Sequence, residues 1–429
     1  MILLKLPEKF LERMQTDLKA EYDDFLKSYE DKPYTALRVN TLKLSVADFQ
    51  KTVDFCGENV NWCENGFYYD GKKGNHPSSI AGLFYSQEPS AMITAETIDI
   101  KEGDKVLDLC AAPGGKSTQL AAKLNGTGLL VSNEVVPGRA KILCENIERM
   151  GIKNTIVTNM YPEKMESHFS EFFDKIIVDA PCSGEGMFRK DEIAVQEWSI
   201  EHTYSCAQRQ LSILDSAYKM LATGGQLVYS TCTFARVENE DVAEKFKHKY
   251  EDIKLVKMHR LMPHKVKGEG HFCALFEKGG KRKNEKRIPI TETKREITNI
   301  YREFEEENLN TTLGGVFVSF GDFLYLVPSG MISLDKIKCV RPGLQLGEIR
   351  KGRFIPSHHL CMALKKDEFR RTISLTDEEI SLYIKGEAIS HIGEKGYGAM
   401  LYNGTYPIGW YKLSDNIAKN HYPKHLRKV

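Results

Sequence analysis

The chain has 429 residues, of which 41% are hydrophobic and 28% charged, and a formal net charge of +1. That length exceeds one ordinary core and implies two to four domains, and the near-zero charge means that any nucleic-acid surface must be local. Apolar runs such as Gly128 to Val131 are far too short to cross a bilayer, while ten scattered cysteines without a CxxC pair read as reduced thiols of a cytoplasmic protein with no zinc site.

Met1 to Pro7 is too short in apolar residues, and too soon followed by Glu8, to be a secretion signal. Pro7 to Tyr29 reads as an amphipathic helix and Tyr34 to Thr41 as a short strand. Turn residues at Gly71 to Pro77 suggest a boundary. From about Ser86, strand and helix alternate, the mark of a parallel sheet. Strands are expected at Val106 to Leu109, Gly128 to Asn133, Ile156 to Asn159, Ile176 to Asp179 and Gln226 to Thr231. Helices are expected at Ser117 to Leu124, Pro137 to Met150 and across most of Asp191 to Leu221. Gly279 to Arg287 is polar, charged and aperiodic, and reads as a linker. After it, β-rich segments (Val316 to Phe320, Phe323 to Pro328) mix with helical ones (Asp377 to Lys385), which suggests one or two α+β modules. Nothing resembles a heptad seam, and the oligomeric state stays open, with a monomer the first expectation.

Three expected strand ends carry chemistry, and in an open α/β sheet those ends face the ligand. The first leads into Cys110-Ala111-Ala112-Pro113-Gly114-Gly115-Lys116, whose glycines and following helix start suit a carboxylate or phosphate. Neither Walker nor GxGxxG spacing is present. Glu134, at the end of the second strand, is placed for a ribose hydroxyl pair. Loop and acid together suit S-adenosylmethionine. The fourth strand ends at Asp179-Ala180-Pro181-Cys182 and the fifth at Thr231-Cys232. Two thiols and a carboxylate beside such a cofactor suit methylation at carbon 5 of a pyrimidine. A thiolate adding at carbon 6 makes carbon 5 nucleophilic. A carboxyl group at nitrogen 3 stabilises the charge that builds there, and a second cysteine can assist release.

These segments, together with Arg38-Val39-Asn40-Thr41 and Gln87 to Met92, resemble the Nop/Sun family of RNA cytosine-5 methyltransferases. By that resemblance Cys232 is the nucleophile, Cys182 helps release the product and Asp179 holds the cytosine. Lys116, Glu134 and Arg139 match family positions around the cofactor. The family often has an acid after the third strand, near the adenine; here Asn159 is its expected substitute, with Tyr161 the alternative. Arg341 to Glu348, Phe354 to Leu360 and Gly409 to Lys424 resemble the C-terminal region of bacterial RsmF-type ribosomal RNA methyltransferases, which is PUA-like. Lys412, Lys419, Lys424, Arg427 and Lys428, interleaved with Trp410, Tyr411 and Tyr422, could contact phosphates and stack on bases. His358-His359 has no further ligands nearby and reads as a loop or core pair.

The implied architecture is α/β: an N-terminal RNA-binding element (1–74), a Rossmann-like S-adenosylmethionine-dependent methyltransferase domain (75–278), a linker (279–295) and a C-terminal RNA-binding region (296–429). The implied reaction is methylation of cytosine carbon 5 in RNA, with small-subunit (16S) ribosomal RNA as the expected substrate. Transfer RNA is the first alternative. A non-catalytic ribosome-assembly factor is the second.

Overall fold

The computed structural model describes residues 6–280 and 288–427. Most of the expected linker core, 281–287, and Lys428 lie outside the described residues, as do the first five residues.

The centre of the molecule is an eight-stranded sheet. Its strands are β1 (Lys105–Asp108), β2 (Leu129–Asn133), β3 (Thr155–Thr158), β4 (Phe173–Asp179), β5 (Leu221–Thr231), β6 (Ile253–Leu261), β7 (His271–Lys278) and β8 (Cys339–Arg341). They lie in the order β6-β7-β5-β4-β1-β2-β3-β8. β1 to β5 are parallel, and β6 and β7 form an antiparallel edge on β5. Strands covered on both faces must be apolar throughout. Val106, Leu107, Leu129, Leu130, Val131, Ile156, Val157, Ile176, Ile177 and Val178 are accordingly fully buried. This is the Rossmann-like arrangement, and it aligns the ends of β1, β2, β4 and β5 along one rim.

The N-terminal element is less self-contained than its sequence suggests. The expected single helix breaks into Glu8–Leu18 and Tyr22–Lys27. Phe10, Met14 and Phe25 pack with Phe188, Trp198, Phe234 and Met262 of the central domain. The N-terminal sheet has four antiparallel strands in the order Asn59–Val60, Cys63–Tyr68, Ala36–Val39 and Phe84–Gln87. Its last strand lies ten residues beyond the expected edge at Gly74, pairing Leu37 with Ser86 and Arg38 with Tyr85.

The C-terminal region forms two units. One has the helix Arg295–Asn308 and a four-stranded sheet. The other has a five-stranded sheet and the helix Asp377–Lys385, which starts with a Thr376/Glu379 capping box. The connection between the first unit's strands adds β8 to the central sheet, antiparallel to β3. Arg341 there is buried and pairs with Glu148 at 3.0 Å. The aromatics expected to stack on RNA are core residues instead: Trp410, Tyr411 and Tyr422 are buried, because Trp410 and Tyr411 pair on central strands of the sheet. Lys412, Lys419 and Lys424 are exposed. His359 is a core residue that contacts Arg341 at 2.6 Å and the Ile152 carbonyl at 2.9 Å. Among the described residues no helix is long and apolar enough to cross a membrane, and no group of three or more His, Cys, Asp or Glu could hold a metal.

Candidate active site

The rim of the sheet brings the sequence motifs together. β1 runs into the loop 109–114, and Gly114, at φ +115°, opens the helix Gly115–Lys123. Only glycine adopts that backbone without strain. Asp108 lies beneath the loop, fully buried, and accepts from Ser117 Oγ at 2.7 Å. Burial pushes its carboxyl up to about 7, against the pull of the Ser117 hydrogen bond.

Lys116, one residue into that helix, places its Nζ 2.7 Å from Asp179 Oδ2 at the end of β4. Asp179 Oδ1 accepts from Ser230 Oγ at 2.8 Å, and His271 Nε2 lies 3.7 Å away. Burial alone would raise the Asp179 carboxyl, but Lys116, helped by His271 and Ser230, outweighs it and holds the group below its ordinary value. Burial likewise opposes the Lys116 charge, and Asp179 more than restores it, so the ammonium sits above its ordinary value. A cation at a helix N-terminus opposes the dipole; this one is kept there by the carboxylate across the rim.

Cys182 Sγ and Cys232 Sγ lie 3.4 Å apart, both free thiols. The hydrogen bond between them, then burial, pushes Cys182 well above its ordinary value. A buried scaffold holds both. Glu238 accepts from Ser183 N at 3.0 Å and from Gln210 Nε2 at 2.9 Å, and Gln210 also donates to the Pro181 carbonyl. Gly186 N donates to the Cys232 carbonyl at 2.8 Å, and a Cβ on Gly186 would stand 2.7 Å from that same oxygen. Glu185, between them, is fully buried and takes Arg13 Nη2 at 2.7 Å, Trp198 Nε1 at 2.8 Å and Phe234 N at 3.0 Å.

A cavity of about 640 Å³ runs from these cysteines and Asp179 past Cys110, Ala112 and Glu134 to Val135, Tyr161 and Ile213. The donor set fits a nucleoside-linked amino acid. Glu134 offers a carboxylate for a hydroxyl pair, the apolar end suits a purine, and the 110–116 loop presents backbone N–H groups at a helix start.

The comparisons with known proteins follow that geometry. Residues 95–277 match the family model for 16S rRNA methyltransferase RsmB/F, and residues 6–89 that for the N-terminal domain of 16S rRNA methyltransferase RsmF. Residues 303–364 match the RsmF first C-terminal domain and 370–428 the RsmF PUA domain. The chain is 32% identical to ribosomal RNA small subunit methyltransferase F of Shewanella piezotolerans over 98% of its own length and 97% of the relative's. The chain belongs to the RsmB/F family of 16S rRNA methyltransferases. A further relative of the same name, from Vibrio cholerae, is 31% identical, with 99% of this chain and 98% of the relative covered. Among solved structures, a methyltransferase homolog from Pyrococcus horikoshii aligns with TM-score 0.58 at 28% identity, over 64% of this chain and 96% of that one. NSun6 from Pyrococcus horikoshii, solved with SFG, an analogue of S-adenosylmethionine, shares the fold at TM-score 0.59 and 22% identity, over 65% of this chain and 100% of that one.

Within this RsmB/F-family site, Cys110, Ala112, Glu134, Arg139, Asp179, Cys182 and Cys232 line the large cavity. Ala111, Pro113, Gly115 and Lys116 line a smaller one beside it. Gly114 lies between as the helix cap. Arg139 reaches Glu134 Oε2 at 3.5 Å and the Ala112 carbonyl at 2.8 Å, bracing the cavity wall. Asn159 is not at the cavity. Its Nδ2 donates to the Glu134 and Val135 carbonyls at 2.7 and 2.9 Å, so it shapes the turn behind the wall, while Tyr161 and Pro162 face the space. Sequence reasoning missed Ser230, Glu238 and His271. Ser230 stands within the expected strand Gln226 to Thr231, two residues before Cys232. Glu238 and His271 carried no local signal. Burial, and then Lys116, push His271 down to about 3, so it is neutral beneath Asp179.

Proposed function

We propose that this protein transfers a methyl group from S-adenosyl-L-methionine to carbon 5 of a cytosine in 16S rRNA, through a covalent bond between Cys232 and carbon 6. The observation that carries this reading is the pair of thiols 3.4 Å apart, at the same end of the cavity as the Lys116–Asp179 pair. Glu134 and the 110–116 loop would hold the cofactor, which supplies an electrophilic methyl group when bound.

The chain's own residues then have defined tasks. Cys232, as thiolate, adds to carbon 6 of the pyrimidine and moves the ring's electrons toward nitrogen 3. The Lys116–Asp179 pair holds one proton in a short hydrogen bond and can give it to nitrogen 3 as charge arrives there. Carbon 5 becomes nucleophilic and takes the methyl group. Its proton must then leave before the sulfur–carbon bond can break. Cys182 Sγ, 3.4 Å from Cys232 Sγ, is close enough to reach that proton. Cys182 can then lose its proton to solvent and take the proton from carbon 5. The ring regains its double bond, returns the nitrogen-3 proton to the Lys116–Asp179 pair and expels Cys232 as a thiolate.

The test is to label small subunits or 16S rRNA with isotopic methyl, digest the RNA and identify the labelled nucleoside by mass spectrometry. 5-Methylcytidine from 16S rRNA is expected. A methyl group on another atom or base, or label confined to transfer RNA, would overturn the reading.

A further inference from the structure

The smaller cavity, about 210 Å³, meets the larger one at Cys110, Ala112 and Asp179. One of its walls comes from the N-terminal sheet, through Tyr85, Gln87 and Glu88 on and just after the strand Phe84–Gln87. Facing that wall are Lys116 and Asp179.

The Gln87 amide has a fixed orientation. Arg38 Nε donates to Gln87 Oε1 at 3.2 Å, and an arginine has only donors, so the oxygen end must face it. Arg38 is itself fully buried and anchored to Gly115 O at 3.0 Å and Thr118 Oγ1 at 2.6 Å, so it cannot follow a rotating amide. Gln87 Nε2 therefore lies on the other side, where a Cβ on Gly115 would stand 3.4 Å from it. Among the described residues nothing accepts from that nitrogen. The cavity wall thus combines an acceptor (Asp179), a charged donor (Lys116) and a neutral donor (Gln87).

We infer that Gln87 is a specificity-determining residue that donates to the O2 oxygen of the target base; this rests on the cytosine-5 reading above. Cytosine presents an amino donor at N4, an acceptor at N3 and an acceptor at O2 along one edge. Asp179, Lys116 and Gln87 offer the complementary order. The opposite edge, carbons 5 and 6, then faces the larger cavity, where Cys232 and the methyl donor meet. Uracil would set an acceptor at O4 against Asp179 and an N–H at N3 against Lys116, so it is rejected at two of the three positions. The base pocket is in this way completed by a strand from the N-terminal element.

The test pairs Gln87→Leu with small subunits carrying 2-thiocytidine, whose sulfur is a poor acceptor, at the methylated position. Gln87→Leu should lower kcat/KM by roughly tenfold, the size of one lost hydrogen bond, with cofactor Kd unchanged. The thio substitution should cost wild type a similar factor and Gln87→Leu nothing further. Losses that multiply, or a weakened cofactor Kd in Gln87→Leu, would overturn the assignment. Gln87→Glu, which keeps the acceptor for Arg38, serves if the leucine variant does not fold, and is expected to show the same pattern. Wild type that makes no 5-methylcytidine on the unmodified RNA would sink the underlying reading instead.

Discussion

Arg13→Ala isolates the contact that ties the N-terminal helix to the loop that follows Cys182. Glu185 is 0% exposed at its side chain, and Arg13 is its one cationic partner among the described residues, at 2.7 Å. Removing the guanidinium leaves a buried carboxylate with two neutral donors, Trp198 Nε1 and Phe234 N. Breaking a buried pair from one side costs about 3–5 kcal/mol; the Arg13 side chain is 23% exposed, so the low end, about 3 kcal/mol, applies. At roughly 2–4 °C per kcal/mol for a domain of this size, the apparent Tm should fall by about 6–12 °C. Scanning fluorimetry of Arg13→Ala, Glu185→Leu and the double variant gives the coupling. The double variant should lose clearly less than the sum of the two, because removing both partners leaves no uncompensated charge. An Arg13→Ala Tm within 2 °C of wild type, or strict additivity, would refute the reasoning.

Lys116→Met removes the charge that holds Asp179 ionised. In wild type, where the carboxyl is lowered, its contribution to stability is present above the ordinary carboxylate range and is lost as pH falls through its folded value. In the variant burial is opposed far less and the carboxyl rises, so protonation on acidification relieves a cost; the Tm gap between the two proteins should narrow from pH 7 to pH 4. Gly186→Ala should lower methyl transfer at least about tenfold by displacing the Cys232 carbonyl, with cofactor Kd by calorimetry unchanged. Peroxide should oxidise the adjacent thiols of Cys182 and Cys232 to a disulfide, giving up two electrons and two protons as the peroxide becomes water. Intact mass should fall by two hydrogens, activity should vanish and a dithiol should restore both. Retention of activity at full oxidation would count against the shared site.

The site was legible where chemistry, backbone and sequence spacing coincide. Three strand ends carry Gly114-Gly115-Lys116, Asp179 with Cys182, and Cys232, and the structure gathers them on one rim. What escaped depends on distant partners. β8 joins β3 across some 180 residues, through Cys339 and Arg341, and no local pattern announces it. β6 exposes Lys254 and then three residues in a row, Val256, Lys257 and Met258, which breaks its alternation and weakens its strand signal. Gly71 to Pro77 is a real turn region, but the N-terminal sheet borrows Phe84–Gln87 from beyond it. Trp410 and Tyr411 resemble a stacking platform in sequence, yet they are neighbours on a strand covered on both faces, so one is buried in each of two opposite clusters. Asn159 follows its strand as an adenine contact would, but its amide is consumed by two carbonyls.

The most direct measurement is of the covalent intermediate. Wild type, Cys182→Ala and Cys232→Ala are each incubated with S-adenosyl-L-methionine and small subunits, then run on denaturing gels that separate free protein from protein bonded to RNA. A strong protein–RNA band in Cys182→Ala, little in wild type and none in Cys232→Ala, with methylation also absent from the last, is the predicted result. A Cys232→Ala protein that still methylates 16S rRNA, or still forms the band, would contradict the account.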